Sequence, residues 1–142
     1  MSKSTHKLAI LGSRLVLTGY CVMHGLAKFG AFSGANIGDF AQYLEGLGVA
    51  APGLAAYALA GGLLLSGLAL AVGAFHKVAC SFIVLYLVGS ICYVTGGNYF
   101  GVQGFEYAAA LIGLASLFFL YGPGPLAYVV QFQKQQGDSR GR

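Results

Sequence analysis

Leu54–Phe75, LAAYALAGGLLLSGLALAVGAF, runs for 22 residues without one charged side chain. The hydrocarbon core of a bilayer is ~30 Å thick and takes roughly 20 apolar residues of helix to cross. The run is therefore long enough to span as a helix and far longer than an ordinary strand. Its small residues carry a second message. Ala58, Gly62, Ser66, Ala69 and Gly73 recur every three or four residues and fall on one helical strip. Lipid offers helices no hydrophobic reason to associate, so strips of this kind let backbones approach closely.

Three further segments fit the same scheme: Leu8–Ala27, Val78–Thr95 and Phe105–Tyr121. The first is too long for a signal peptide, holds Arg14 and has no A-x-A cleavage site before Lys28, so it reads as a retained span. The whole composition agrees. Of 142 residues, 57% are hydrophobic and 8% charged, with 23 glycines and a mean hydropathy of +0.73. Soluble domains carry about a quarter charged residues, which rules that class out, and disordered chains are polar and charge-rich. The expected fold is all-α: an integral membrane four-helix bundle. Residues 8–126 would form its single four-span domain, between a short N-terminus (1–7) and a C-terminal tail (127–142).

The cations set an orientation. An even number of spans places both termini and the turn between spans two and three on one side. That side would carry Lys3, Lys7, Lys77, Lys134, Arg140 and Arg142, against Lys28 alone on the other. By the positive-inside rule both termini are expected in the cytoplasm. A formal net charge of +4 is also a feature of nucleic-acid binders, but no basic run or aromatic-interleaved patch exists here to bind one. Cys21, Cys80 and Cys92 show neither zinc-ligand nor redox-pair spacing.

The connections differ in kind. Between spans two and three the turn is very short, which makes them antiparallel neighbours. Between spans one and two, Ile37, Phe40, Ala41, Leu44 and Leu47 alternate at helical spacing with Asp39, Gln42 and Glu45. That is the pattern of a short amphipathic helix lying in the interface. The loop GGNYFGVQG before span four places Tyr99 and Phe100 at headgroup depth. Beyond Gly122–Pro125, LAYVVQFQKQQ reads as a second interfacial helix and GDSRGR as a disordered end.

Span one holds the candidate site. At 100° per residue, Arg14, Thr18, Cys21, His24 and Lys28 fall within an arc of about 120°. A charge within the hydrocarbon costs at least ~2.5–3.5 kcal/mol, so this stripe is expected to face the bundle interior. Arg14 and Thr18 read as structural polar groups. His24 and Lys28 stack one turn apart near the outer end and want an acidic or phenolic neighbour. Glu106, opening span four at the same depth, is the expected partner, with Tyr86, Ser90 and Tyr93 of span three completing the cluster. His24, Lys28, Glu106 and Tyr93 are thus the candidate ligand-binding residues. No catalytic triad, metal motif or phosphate loop is present in the sequence.

The same residues carry a family resemblance. Arg14–Gly30, RLVLTGYCVMHGLAKFG, resembles the first span of the DoxX family, an Arg followed by G-x-x-x-x-H-G-x-x-K. Gly104-Phe105-Glu106-Tyr107, the Gly122-Pro123-Gly124 ending, and the second-span region with Pro52 and Gly61-Gly62 are similar to it as well. Where that family often has a Glu before the glycine pair, this chain has Ala60, and Pro125-Leu126-Ala127 stands in place of the common Ser-x-Asp ending. The resemblance implies a four-span protein of the bacterial inner membrane, surrounded by lipid and partnered by other membrane subunits. It implies a non-catalytic accessory subunit of a membrane redox or energy-transducing complex, with no intrinsic cofactor. A quinone-interacting subunit of a thiosulfate:quinone oxidoreductase-type enzyme is the alternative, and a small transporter a third.

Overall fold

Five α-helices and no strand make up the described part of the chain, residues 3–32, 34, 36–93, 106–122 and 124 of the computed structural model. They are α1 (Lys3–Lys28), α2 (Ile37–Gly46), α3 (Pro52–Val72), α4 (His76–Tyr93) and α5 (Glu106–Tyr121). Two of them, over Lys7–Lys28 and Pro52–Val72, are long and apolar enough to cross a membrane. The apolar stretches of α4 and α5, His76–Cys92 and Glu106–Tyr121, are shorter.

Local chemistry explains where these helices stop. Pro52 opens α3 at a position where its missing N–H costs nothing. Gly73 closes it with φ 78°, a left-handed conformation that glycine adopts freely. The Gly73 N–H donates to Leu70 C=O at 3.1 Å and the Ala74 N–H to Ala69 C=O at 3.0 Å, the paired bonds of a Schellman ending. The chain then re-enters helix at His76, so the turn is as short as expected. At the start of α2, Asn36 Oδ1 accepts from the Gly38 and Asp39 N–H groups, while Asp39 Oδ2 accepts from the Asn36 N–H at 2.8 Å. This capping box satisfies N-terminal donors that a ten-residue helix would otherwise leave bare.

The helices pack in chain order. α1 lies chiefly on α3, α3 also on α4, and α4 on α5, while α2 rests on α3. Glycine sets the tightest approaches. An added Cβ on Gly67 would lie 2.9 Å from Cys21 Cβ, and one on Gly25 would lie 3.0 Å from Leu64 Cβ. Gly62 is occupied from the other side, by the Phe82 ring of α4. Because residue 21 meets 67 and residue 25 meets 64, α1 and α3 run antiparallel. By contrast, a Cβ added on Gly12 or Gly19 of α1, or on Gly113 of α5, would meet nothing within 4 Å.

Between the helices lies a core of Leu17, Cys21, Leu63, Leu70, Cys80, Ile83, Leu87 and Ala115, with Ala79, Ala108 and Phe118 at its margin. Around it the surface is unusually apolar. Leu8, Leu15, Val16 and Met23 of α1, Leu54, Leu65 and Leu68 of α3, and Leu117 and Leu120 of α5 all point outward. Exposed apolar area on that scale is what a lipid-facing exterior needs and a water-facing one avoids. All three cysteines are free, Cys21 and Cys80 buried and Cys92 exposed.

The two ends of the molecule are chemically unlike. One end gathers Lys7 of α1, the α3–α4 turn with His76 and Lys77, and the chain after α5, where Gly122 approaches His76 and Gly124 approaches Ile10. The other end gathers Lys28, α2, the end of α4 and the start of α5.

Candidate functional site

At the α2 end the helices part to leave a cavity of about 600 Å³. Its floor and walls are Tyr20, His24 and Lys28 of α1, Leu59 of α3, Phe82, Leu85, Tyr86, Gly89 and Ser90 of α4, and Tyr107 of α5. α2 roofs it with Phe40, Tyr43 and Leu44, continued by Leu47 and Val49. A roomy apolar space with a few converging polar groups is the usual form of a small-molecule site.

The polar stripe of α1 turns inward over most of its length. Arg14 is 6% exposed and Cys21 fully buried, and Leu17 and Gly25 on the same face are buried with them. Thr18 buries its hydroxyl oxygen without a hydrogen-bond partner among the described residues. Nearer the end of the helix the stripe leaves the packed core and becomes cavity wall. The His24 ring lies against that of Tyr20, one turn earlier, with centroids 4.4 Å apart, and Tyr20 in turn faces Tyr107 at 6.3 Å.

Lys28 finds rings rather than a carboxylate. Its Nζ sits 3.6 Å from the Phe40 centroid and 5.9 Å from that of Tyr86. A cation over an aromatic face gains ~0.5–2 kcal/mol. Among the described residues no ion pair joins Glu106 to Lys28 or His24, and Glu106 is exposed and absent from the cavity wall. The reason is helical phase. Glu106 is the first residue of α5, and it is its neighbour Tyr107, 100° further round, that faces α1. Tyr93 is the last residue of α4, and its side chain lies outside the described residues, as do Tyr99 and the rest of the loop before α5.

Of the expected cluster, then, the structure brings together His24, Lys28, Tyr86 and Ser90. It adds Tyr20, Phe40, Tyr43 and Tyr107, which spacing alone did not single out. Tyr20 was findable, since it precedes His24 by four residues and so shares its side of the helix. Tyr43 and Phe40 required knowing that α2 folds back over α1. The polar side chains of the wall are the His24 ring, the Lys28 ammonium, four tyrosine hydroxyls and Ser90; all can donate, and none is a carboxylate. No group of three or more His, Cys, Asp or Glu side chains gathers among the described residues to hold a metal.

Comparison with known proteins gives one match. No curated protein and no solved structure matches the chain. Residues 9–96, which include α1, α2, α3 and α4 almost entirely, match the DoxX family. The stripe from Arg14 to Lys28, the roofing helix and the glycine-packed α3 all fall within that match, and the chain belongs to the DoxX family of small membrane proteins.

Proposed function

We propose that this protein is a small multi-pass subunit of the bacterial inner membrane whose outer-end cavity holds an amphiphile with a hydrogen-bond-accepting head. Quinones are the redox-active members of that class. α1, α3, α4 and α5 each cross the bilayer in this reading, residues 8–126 form the membrane domain, and both termini and Lys77 lie in the cytoplasm. The cavity then opens in the outer half of the membrane, roofed by α2 at the interface. The setting is a membrane redox complex, with this chain as its accessory, non-catalytic subunit.

The observation that carries the reading is the composition of the cavity wall. Leu44, Leu47, Val49, Leu59, Phe82 and Leu85 suit an apolar tail, while His24, Lys28 and the tyrosines supply donors at the head. A ligand head that brings acceptors suits this wall, because Lys28 can only donate and a buried donor left without a partner costs ~1–3 kcal/mol. In this reading the wall positions the ligand and the chemistry belongs to a partner subunit.

Gly89 supplies the test. It lines the cavity, and an added Cβ there meets nothing within 4 Å, so Gly89→Phe should fill the space without disturbing the helices. The chain has no tryptophan, and its tyrosine emission is therefore readable. A short-chain quinone analogue is expected to quench that emission saturably in the native sequence and at least tenfold more weakly in Gly89→Phe. Equal quenching in both would overturn the site. Co-elution with other subunits after mild-detergent extraction checks the setting, and a lone chain under those conditions counts against it.

A further inference from the structure

Three of the four acidic residues in the chain are described, and none reaches the cavity. Asp39 is spent on the α2 capping box, where its Oδ2 accepts from the Asn36 N–H. Glu45 is exposed on α2, and Glu106 is exposed at the start of α5. The fourth, Asp138, belongs to the C-terminal tail, more than a dozen residues beyond the end of α5. Lys28 is thus a half-buried ammonium in a mostly apolar wall whose recorded neighbours are the rings of Phe40 and Tyr86.

Aromatic faces interact with a cation through their quadrupoles but cancel none of its charge. The cavity therefore keeps a net positive pole, with the His24 ring one turn below Lys28. Low-dielectric walls strengthen the field of such a charge, because little water is present to screen it. The tyrosine hydroxyls add dipoles, and hydrogen bonds to an ionised acceptor are roughly twice as strong as those to a neutral one.

From this charge imbalance we infer that the cavity selects, among amphiphiles, those with an anionic head: a carboxylate or phosphate ester on an apolar chain. The inference rests on the proposed amphiphile site and narrows its ligand class. Lys28 is the specificity-determining residue. The head lies against Lys28 and the Tyr86 and Tyr107 side of the wall, and the chain lies along Leu44, Leu59, Phe82 and Leu85. A small free anion lacks the tail and gains only the polar part of the site.

The test is competition in uncharged phosphatidylcholine nanodiscs containing the full chain, read by displacement of a nitroxide-labelled stearate that quenches tyrosine emission. Oleate, oleyl alcohol, a neutral quinone analogue and acetate are the four competitors, compared by mole fraction in the bilayer (acetate by concentration). Oleate is expected to displace the probe at least tenfold better than oleyl alcohol or the quinone analogue, with acetate ineffective at millimolar concentration. That preference should disappear in Lys28→Gln and persist in Lys28→Arg. Equal displacement by oleate and the neutral competitors would overturn the anion selectivity and leave the amphiphile site standing. Failure of the labelled stearate and of the quinone analogue to bind would overturn both. Effective acetate would replace the amphiphile by a small-anion site. A preference that survives in Lys28→Gln would remove Lys28 from its role.

Discussion

An added methyl group on Gly67 would lie 2.9 Å from Cys21 Cβ and from Val22 Cγ2, and 3.1 Å from the Val22 backbone nitrogen. A side-chain tip can move aside, but a backbone nitrogen moves only with its helix. Overpacking of this kind typically costs ~1–3 kcal/mol. Gly12 is the control, since it lies on the outward side of α1 beside Leu8, Leu15 and Val16 with no atom near its missing Cβ. There, removing glycine from a helix interior gains up to ~1 kcal/mol. Gly67→Ala should therefore destabilise the protein in equilibrium unfolding from mixed micelles, and Gly12→Ala should leave stability unchanged or raise it. Equal losses at the two positions would mean that glycine acts on the helices themselves and not on the distance between them. Sequence spacing alone does not distinguish Gly12 and Gly19, which meet nothing, from Gly25, which meets Leu64. The rotation of a helix about its own axis is set by its partner, and the partner is not written in the helix.

Among the elements, α2 depends most on its own ends. It is ten residues long, Leu44 is its only buried side chain, and it packs mainly on α3. Isolated helices of that length are marginal in water, so the Asn36–Asp39 capping box carries a large share of its order. Replacing an N-cap side chain by Ala typically costs ~0.5–2 kcal/mol. Asn36→Ala is expected to raise amide exchange across 37–46 by about 2- to 30-fold while leaving α3 protected. Exchange that rises equally in both helices would show that α2 and α3 open as one unit. This helix was legible from its alternating apolar and acidic residues, and its polar face is indeed outward, with Asp39, Gln42 and Glu45 exposed. What the pattern could not convey is what the apolar face covers. Phe40 and Tyr43 became part of a site only because α2 lies over the end of α1.

At the scale of the whole molecule, the asymmetry between the two ends is the property that insertion reads. Lys7 and Lys77 share one end, and Lys28 stands at the other with α2. In a cysteine-free background, Gln42→Cys on the exposed face of α2 should react with a membrane-impermeant maleimide in intact spheroplasts. Lys77→Cys should react only after lysis. The reverse pattern would invert the proposed orientation. The all-α fold was readable from apolar run length, because runs of that length exceed an ordinary strand. Glu106 was not placed correctly by the same means: a shift of one residue at a helix start turns a side chain by 100° and hands the position to Tyr107.

Arg14 finally bears on how the chain is made. It belongs to α1, which is made before α3, yet it is buried in the finished protein on the stripe it shares with Cys21, and Cys21 meets Gly67 of α3. α3 ends at Val72, about 60 residues later, and synthesis at ~5–20 residues per second separates the two events by roughly 3–12 s. Through that interval the guanidinium has no packed surface to enter and must be sheltered by headgroups, water or the insertion machinery. The burial of Arg14 is therefore a late event of assembly, completed only when α3 arrives to pack on α1.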